Sequence, residues 1–90
     1  MEKAYHFYFK GMVQGVGFRY TVKMAAFRYG LSGWVRNLSD GRVEAFIQGD
    51  KTDVLELLDD LKSRFGGYIR EYTMNETPAV AALDDFEIRF

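Results

Sequence analysis

The chain has 90 residues, no cysteine and a net charge of −1. This length predicts one domain, placed at residues 1–90, and the absence of cysteine excludes disulfides and thiolate metal sites. The charge gives no global attraction to nucleic acid or acidic membranes, and we expect neither a membrane span nor a signal peptide. These features suit a soluble cytoplasmic protein.

The first half of the chain alternates strand and helix patterns. Residues 3–10 predict a strand, and apolar residues at helical spacing predict a helix from Phe18 that ends at Gly30. Residues 31–37 and 42–48 predict two more strands, joined by a turn. The residues expected to face the core are Tyr5, Phe7, Phe9, Phe18, Val22, Ala25, Ala26, Tyr29, Val43, Ala45 and Ile47.

The second half continues with a helix and a strand. Asp50 is the expected N-cap of a helix that ends at 66–67, and a strand follows around 68–75. The tail 86–90 alternates and predicts a short edge strand, whereas 76–85 has no clear pattern. The apolar stripe of the second helix is Val54, Leu57, Leu58, Leu61 and Phe65.

The order β-α-β-β-α-β predicts an α+β, ferredoxin-like (split β-α-β) sandwich, in which an antiparallel sheet of four to five strands carries two helices on one face. The first and second strands then run in the same direction, with the third strand between them. The loop after the first strand and Asn37 at the end of the second would lie about 10 Å apart. At that distance, Arg19 and Asn37 can reach one small ligand.

Residues 11–19, GMVQGVGFR, form a glycine-rich connection from the first strand into the first helix. Such a segment can turn its backbone N–H groups toward one anion at a helix N-terminus. Arg19 in the first helical turn opposes the helix dipole unless an anion lies nearby. We therefore predict a phosphate site. The segment lacks the Gly-Lys-Ser/Thr of a nucleotide P-loop and the third glycine of a dinucleotide fingerprint.

The groups near this loop restrict the reaction. There is no Ser/His/Asp set and no carboxylate cluster suited to a metal, and His6, the only histidine, lies in mid-strand. Asn37 could orient a water molecule but could not deprotonate it. Because an acyl phosphate expels a carboxylate that is stable without a proton at neutral pH, it suits these groups better than a phosphate monoester does.

Two segments resemble the signatures of the acylphosphatase family. Residues 11–19 are similar to G-x-V-Q-G-V-x-F-R, and residues 33–49 are similar to G-[FYW]-V-x-N-x3-G-x-V-x5-G. The resemblance implies a cytoplasmic hydrolase of acyl phosphates that uses no metal and no cofactor. It implies that Arg19 binds the phosphate and that Asn37 orients the attacking water. The implied cradle consists of the N–H groups of Gln14, Gly15, Val16, Gly17 and Phe18.

A non-catalytic ferredoxin-like module that binds an anion or RNA is the alternative. Tyr8 and Phe46 could stack bases on the open sheet face, but Glu44 lies beside them and the basic-aromatic pattern of RNA-binding strands is missing. His6 and Tyr8 are otherwise expected to be ordinary residues of that face, with Glu44 also pointing outward. We expect a small-molecule acyl phosphate substrate, no nucleic acid or membrane partner, and a monomer. The sequence does not identify the acyl group.

Overall fold

The computed structural model describes residues 2–90 and contains five strands and two helices. Every predicted element is present. The predicted domain of residues 1–90 includes residue 1, which lies outside the described residues, and its extent stays a prediction. No helix in the described part is long and apolar enough to cross a membrane. The elements are β1 (Lys3–Gly11), α1 (Phe18–Arg28), β2 (Ser32–Asn37), β3 (Val43–Gly49), α2 (Lys51–Phe65), β4 (Ile69–Thr77) and β5 (Phe86–Arg89).

The strands form one sheet in the order β4-β1-β3-β2-β5. Both β1 and β2 pair antiparallel with β3, so they run in the same direction with β3 between them, as the ferredoxin-like prediction requires. The loop after β1 and the turn after β2 therefore leave the sheet at the same end. This end carries the candidate site.

The strand β5 corrects one detail of the prediction. It pairs parallel with β2, from Gly33 opposite Phe86 to Arg36 opposite Arg89, so the five-stranded sheet is mixed rather than antiparallel throughout. The chain leaves β4 at the end where β2 begins and crosses to the other edge of the sheet. A strand that begins at that end of the sheet runs parallel to β2.

The core lies between the helices and one face of the sheet, and the predicted core residues are buried there, with Tyr29 only partly buried. Phe18 shows how this core positions the loop. Its ring contacts those of Phe9 on β1 and Phe65 on α2, each at 5.0 Å between centroids. Burial of this first residue of α1 therefore fixes where the helix begins, and with it the end of the glycine-rich loop.

The opposite sheet face is more structured than the sequence suggested. Glu44 lies on this face, but its side chain is only 8% exposed. Its carboxylate accepts hydrogen bonds from Arg36 Nε at 2.6 Å and Tyr8 Oη at 3.2 Å, and His6 Nε2 lies 2.7 Å away. Burial raises the pKa of the Glu44 carboxyl, but the bonds from Arg36, His6 and Tyr8 outweigh burial, and the pKa lies below its ordinary value. His6, Tyr8 and Glu44 lie on the outer face as predicted, but they are not ordinary surface residues, because β1 and β2 bring three partners to one carboxylate.

Candidate active site

The loop between β1 and α1 has the backbone geometry of an anion-binding segment. Gly15 and Gly17 have φ values of 76° and 80°, a region that other residues rarely adopt, and Val16 lies between them. Gly17 is also the N-cap of α1, in the left-handed conformation. Within residues 2–90, the N–H groups of 14–18 donate to no protein acceptor. They lie at a helix N-terminus, where the helix dipole favours an anion.

Arg19 lies beside this loop in a shallow cleft of about 160 Å³. The guanidinium of Arg19 lies over the ring of Phe90, 5.0 Å from its centroid, at a distance typical of a cation–π contact. The tail after β5 thus forms one wall of the cleft. The lining residues are Val13, Gly15, Gly17, Phe18, Arg19, Tyr20, Ile88 and Phe90.

Asn37 is the last residue of β2 and is half-buried. Its side-chain oxygen Oδ1 is buried and has no hydrogen-bond partner among the described residues. Leaving such an acceptor unpaired costs about 1–3 kcal/mol. Because Arg36 pairs with Arg89, the residues that follow them, Asn37 and Phe90, leave the sheet at the same level. Asn37 is therefore placed near Phe90, which forms one wall of the Arg19 cleft, although Asn37 itself does not line that cleft.

The side chain of Gln14 connects the loop to the end of β2. Its Nε2 donates to the backbone oxygens of Leu38 at 2.8 Å and Arg42 at 3.0 Å. Leu38 directly follows Asn37, and the two accepting carbonyls lie at either end of the turn between β2 and β3. The loop and the turn are thus held side by side, as the topology predicted.

Sequence reasoning missed two features of this site. It considered Gln14 only for its N–H group, because a motif does not reveal where a side chain reaches after folding. It also gave no role to Phe90, since the contact with Arg19 depends on the unpredicted direction of β5. Trp34 is not part of the site: its ring stacks on Phe46 on the open face of the sheet and points away from the cleft.

A glycine-rich loop at a helix N-terminus, with an arginine and a strand-end asparagine held beside it on a ferredoxin-like sandwich, defines a small α+β protein with a candidate anion site. The family model for acylphosphatases matches residues 5–88 of this chain. The chain belongs to the acylphosphatase family. It is an enzyme that hydrolyses acyl phosphates.

Individual relatives agree with this assignment over the whole chain. An acylphosphatase from Syntrophus aciditrophicus is 41% identical over 91 residues, covering 100% of this chain and 95% of the relative. The crystal structure of acylphosphatase from Bacillus subtilis superposes with a TM-score of 0.87 at 30% identity, with full coverage of both chains. The full-length structure of HypF, in its phosphate- and nucleotide-bound form, gives a TM-score of 0.88 at 30% identity. This match covers 100% of the present chain but only 12% of HypF.

Proposed function

We propose that Arg19 and the N–H groups of residues 14–18 hold the phosphate of the acyl phosphate, while Asn37 orients the attacking water. The loop N–H groups contribute fixed dipoles and Arg19 contributes a full positive charge. Together they oppose the negative charge on the equatorial oxygens as the phosphoryl group is transferred. The side-chain amide of Asn37 acts by hydrogen bonding alone.

The reaction needs few catalytic groups. The water oxygen forms a bond to phosphorus as the bond from phosphorus to the acyl oxygen breaks, and the carboxylate leaves with the bonding electron pair. A carboxylate is stable at neutral pH, so no residue has to protonate it. The proton of the water goes to the phosphate itself. On this proposal, neither a metal nor a cofactor takes part in the hydrolysis.

Asn37 is the residue whose position carries this assignment. It lies at the end of β2, beside a turn that Gln14 holds against residues 12–17, the proposed phosphate loop. A water molecule bound by the side-chain amide of Asn37 would stand next to the bound phosphate. We further propose that the enzyme acts as a cytoplasmic monomer on small-molecule acyl phosphates and binds no nucleic acid.

The test is phosphate release from benzoyl phosphate with EDTA present. We expect turnover by the wild type, a loss of both substrate binding and rate in Arg19→Gln, and a loss of rate alone in Asn37→Ala. Arg28→Gln is the matched control, because Arg28 lies on the same helix but pairs with Asp60. That variant should keep full activity.

Circular dichroism establishes that each variant is folded. If the folded wild type binds phosphate without hydrolysing benzoyl phosphate, the catalytic proposal is wrong. If Asn37→Ala keeps the wild-type rate, water orientation belongs to another group. Turnover that EDTA abolishes would contradict hydrolysis without a metal.

A further inference from the structure

We infer that the side-chain amide of Gln14 is a positioning residue that sets Asn37 at its working distance from the phosphate loop. This inference rests on the proposed roles of the loop and of Asn37. It assigns to Gln14 a function that is separate from its backbone N–H group.

The hydrogen bonds of Gln14 fit this role. The amide nitrogen of Gln14 carries two hydrogens and donates to two backbone carbonyls, those of Leu38 and Arg42. Because both partners are acceptors, the NH₂ end of the amide must face the turn. The side chain is half-buried, which limits competition from water.

The turn that accepts these bonds carries Asn37. Leu38 N donates to Arg42 O at 2.8 Å, and Gly41 N donates to Leu38 O at 3.2 Å. Each carbonyl that Gln14 contacts therefore already closes the turn, so Gln14 binds a rigid unit. Leu38 directly follows Asn37, and any shift of this unit relative to the loop moves the Asn37 amide as well.

No other hydrogen bond joins residues 12–17 to residues 38–42 in the described part of the chain. The loop end of the site is otherwise anchored by Phe18 in the core, and Asn37 is anchored by the pairing of β2 with β3. The Gln14 amide is thus the hydrogen-bonded link between the phosphate-binding group and the water-orienting group. Loss of the Gln14 hydrogen bonds should change the distance between the loop and Asn37 more than it changes the structure of the loop or of Asn37 alone.

The chain offers a matched control in Gln48. This glutamine also uses its side-chain amide for two backbone hydrogen bonds, from Nε2 to Val80 O at 3.0 Å and from Val80 N to Oε1 at 2.7 Å. These bonds hold the segment after β4 and do not involve the phosphate loop. Gln14→Met and Gln48→Met each remove a pair of such bonds while keeping an unbranched side chain of similar length.

The experiment compares kcat for benzoyl phosphate with inhibition by inorganic phosphate in the wild type and both variants. We expect Gln14→Met to lower kcat by about ten-fold to a hundred-fold, since small displacements of a catalytic group have effects of this size. Its inhibition constant for phosphate should stay within about two-fold of the wild type, because the loop and Arg19 remain. Gln48→Met should lose stability in urea while its kcat stays unchanged at temperatures where it is folded.

An unchanged kcat in folded Gln14→Met would overturn the inference while leaving the hydrolysis proposal intact. A parallel loss of kcat and phosphate affinity would also overturn it, because Gln14 would then shape the loop itself. An inactive wild type would refute the catalytic proposal, and the positioning role would fall with it.

Gln14→Glu gives a second readout if the methionine variant does not fold. An ionised carboxylate would face two carbonyl oxygens, whereas a protonated one could donate to one of them. The ratio of its kcat to that of the wild type should therefore rise as the pH falls from neutral toward about 4.3, the ordinary pKa of glutamate. A ratio that does not change with pH would contradict the role of the donor.

Discussion

Asn37 combines a structural cost with a proposed chemical role. Its Oδ1 is buried at the end of β2 without a partner among the described residues, although most buried polar atoms are paired. An acceptor kept in this condition does not stabilise the folded chain. We therefore expect the stability effect and the activity effect of Asn37 to separate.

Replacing Asn37 with alanine should not lower the free energy of unfolding and could raise it by up to about 1–3 kcal/mol, because no paired hydrogen bond is lost and an unpaired acceptor is removed. Val35→Ala is the reference, since Val35 lies two residues earlier on the same strand and is fully buried. That variant should lose about 2 kcal/mol through lost burial and a cavity. Urea unfolding measures both values. A loss in Asn37→Ala as large as that in Val35→Ala would identify Asn37 as a structural residue.

At the scale of helices and strands, the sequence predicted those elements that depend on residues close together in the chain. The alternation of Tyr5, Phe7 and Phe9 and the helical spacing around Leu57 and Leu61 depend on neighbours in sequence, and these elements formed as predicted. The end of the sheet that carries the site also followed, because the element order fixes which strands are parallel. The glycines of residues 11–19 likewise predicted a loop between the first strand and the first helix.

Features that depend on distant partners could not be predicted in this way. The direction of β5 depends on where the chain crosses after β4, and there Gln48 holds Val80 through its side chain. In the same way, the reach of Gln14 to the turn and the contact of Phe90 with Arg19 join residues far apart in sequence. Neither contact has a local pattern that could reveal it.

The strand β5 supports a prediction about truncation. Phe86 is 7% exposed and Ile88 packs on the core, so deleting residues 86–90 removes two apolar side chains from the core and leaves an edge of β2 unpaired. We expect a loss of about 3 kcal/mol in unfolding free energy, together with lower solubility, because an open strand edge promotes aggregation.

Deleting Phe90 alone is the control, since that side chain is fully exposed and its removal should cost no more than about 1 kcal/mol, the scale of an exposed cation–π contact. Urea midpoints and the soluble fraction after centrifugation measure the two deletions. If the longer deletion matches the wild type in both measurements, the tail is not packed against β2.

For the whole molecule, the two faces of the sheet have different chemistry. The helix face is an apolar core, and it places the glycine-rich loop between β1 and α1 at one end. The open face is tied together at its centre by Glu44, which binds Tyr8 and lies against His6 on β1 and binds Arg36 on β2. This one carboxylate on β3 therefore links β3 to the strands that lead to the glycine-rich loop and to Asn37.

The lowered pKa of Glu44 predicts how stability depends on pH. The Glu44 carboxylate binds a proton less readily in the folded chain than in the unfolded chain. Because the unfolded chain takes up more protons in acid, the free energy of unfolding decreases as the pH decreases. The contribution of Glu44 is fully present above the ordinary pKa of a glutamate and is lost as the pH falls through the lower folded value.

Glu44→Gln tests this dependence, because glutamine keeps the size of the side chain but does not titrate. At neutral pH the free energy of unfolding of the variant should be about 2 kcal/mol lower than that of the wild type, which is the scale of a hydrogen bond to a charged group. The stability deficit of the variant should then shrink as the pH falls, because the wild type loses the contribution of Glu44 when that carboxylate becomes protonated. Asp40, whose pKa is lowered first by the backbone N–H of Arg42 and then by its side chain, titrates in both proteins and cancels in the comparison. Urea unfolding from neutral pH down to acid measures the gap. A gap that stays constant would mean that the partners of Glu44 do not favour its charged form.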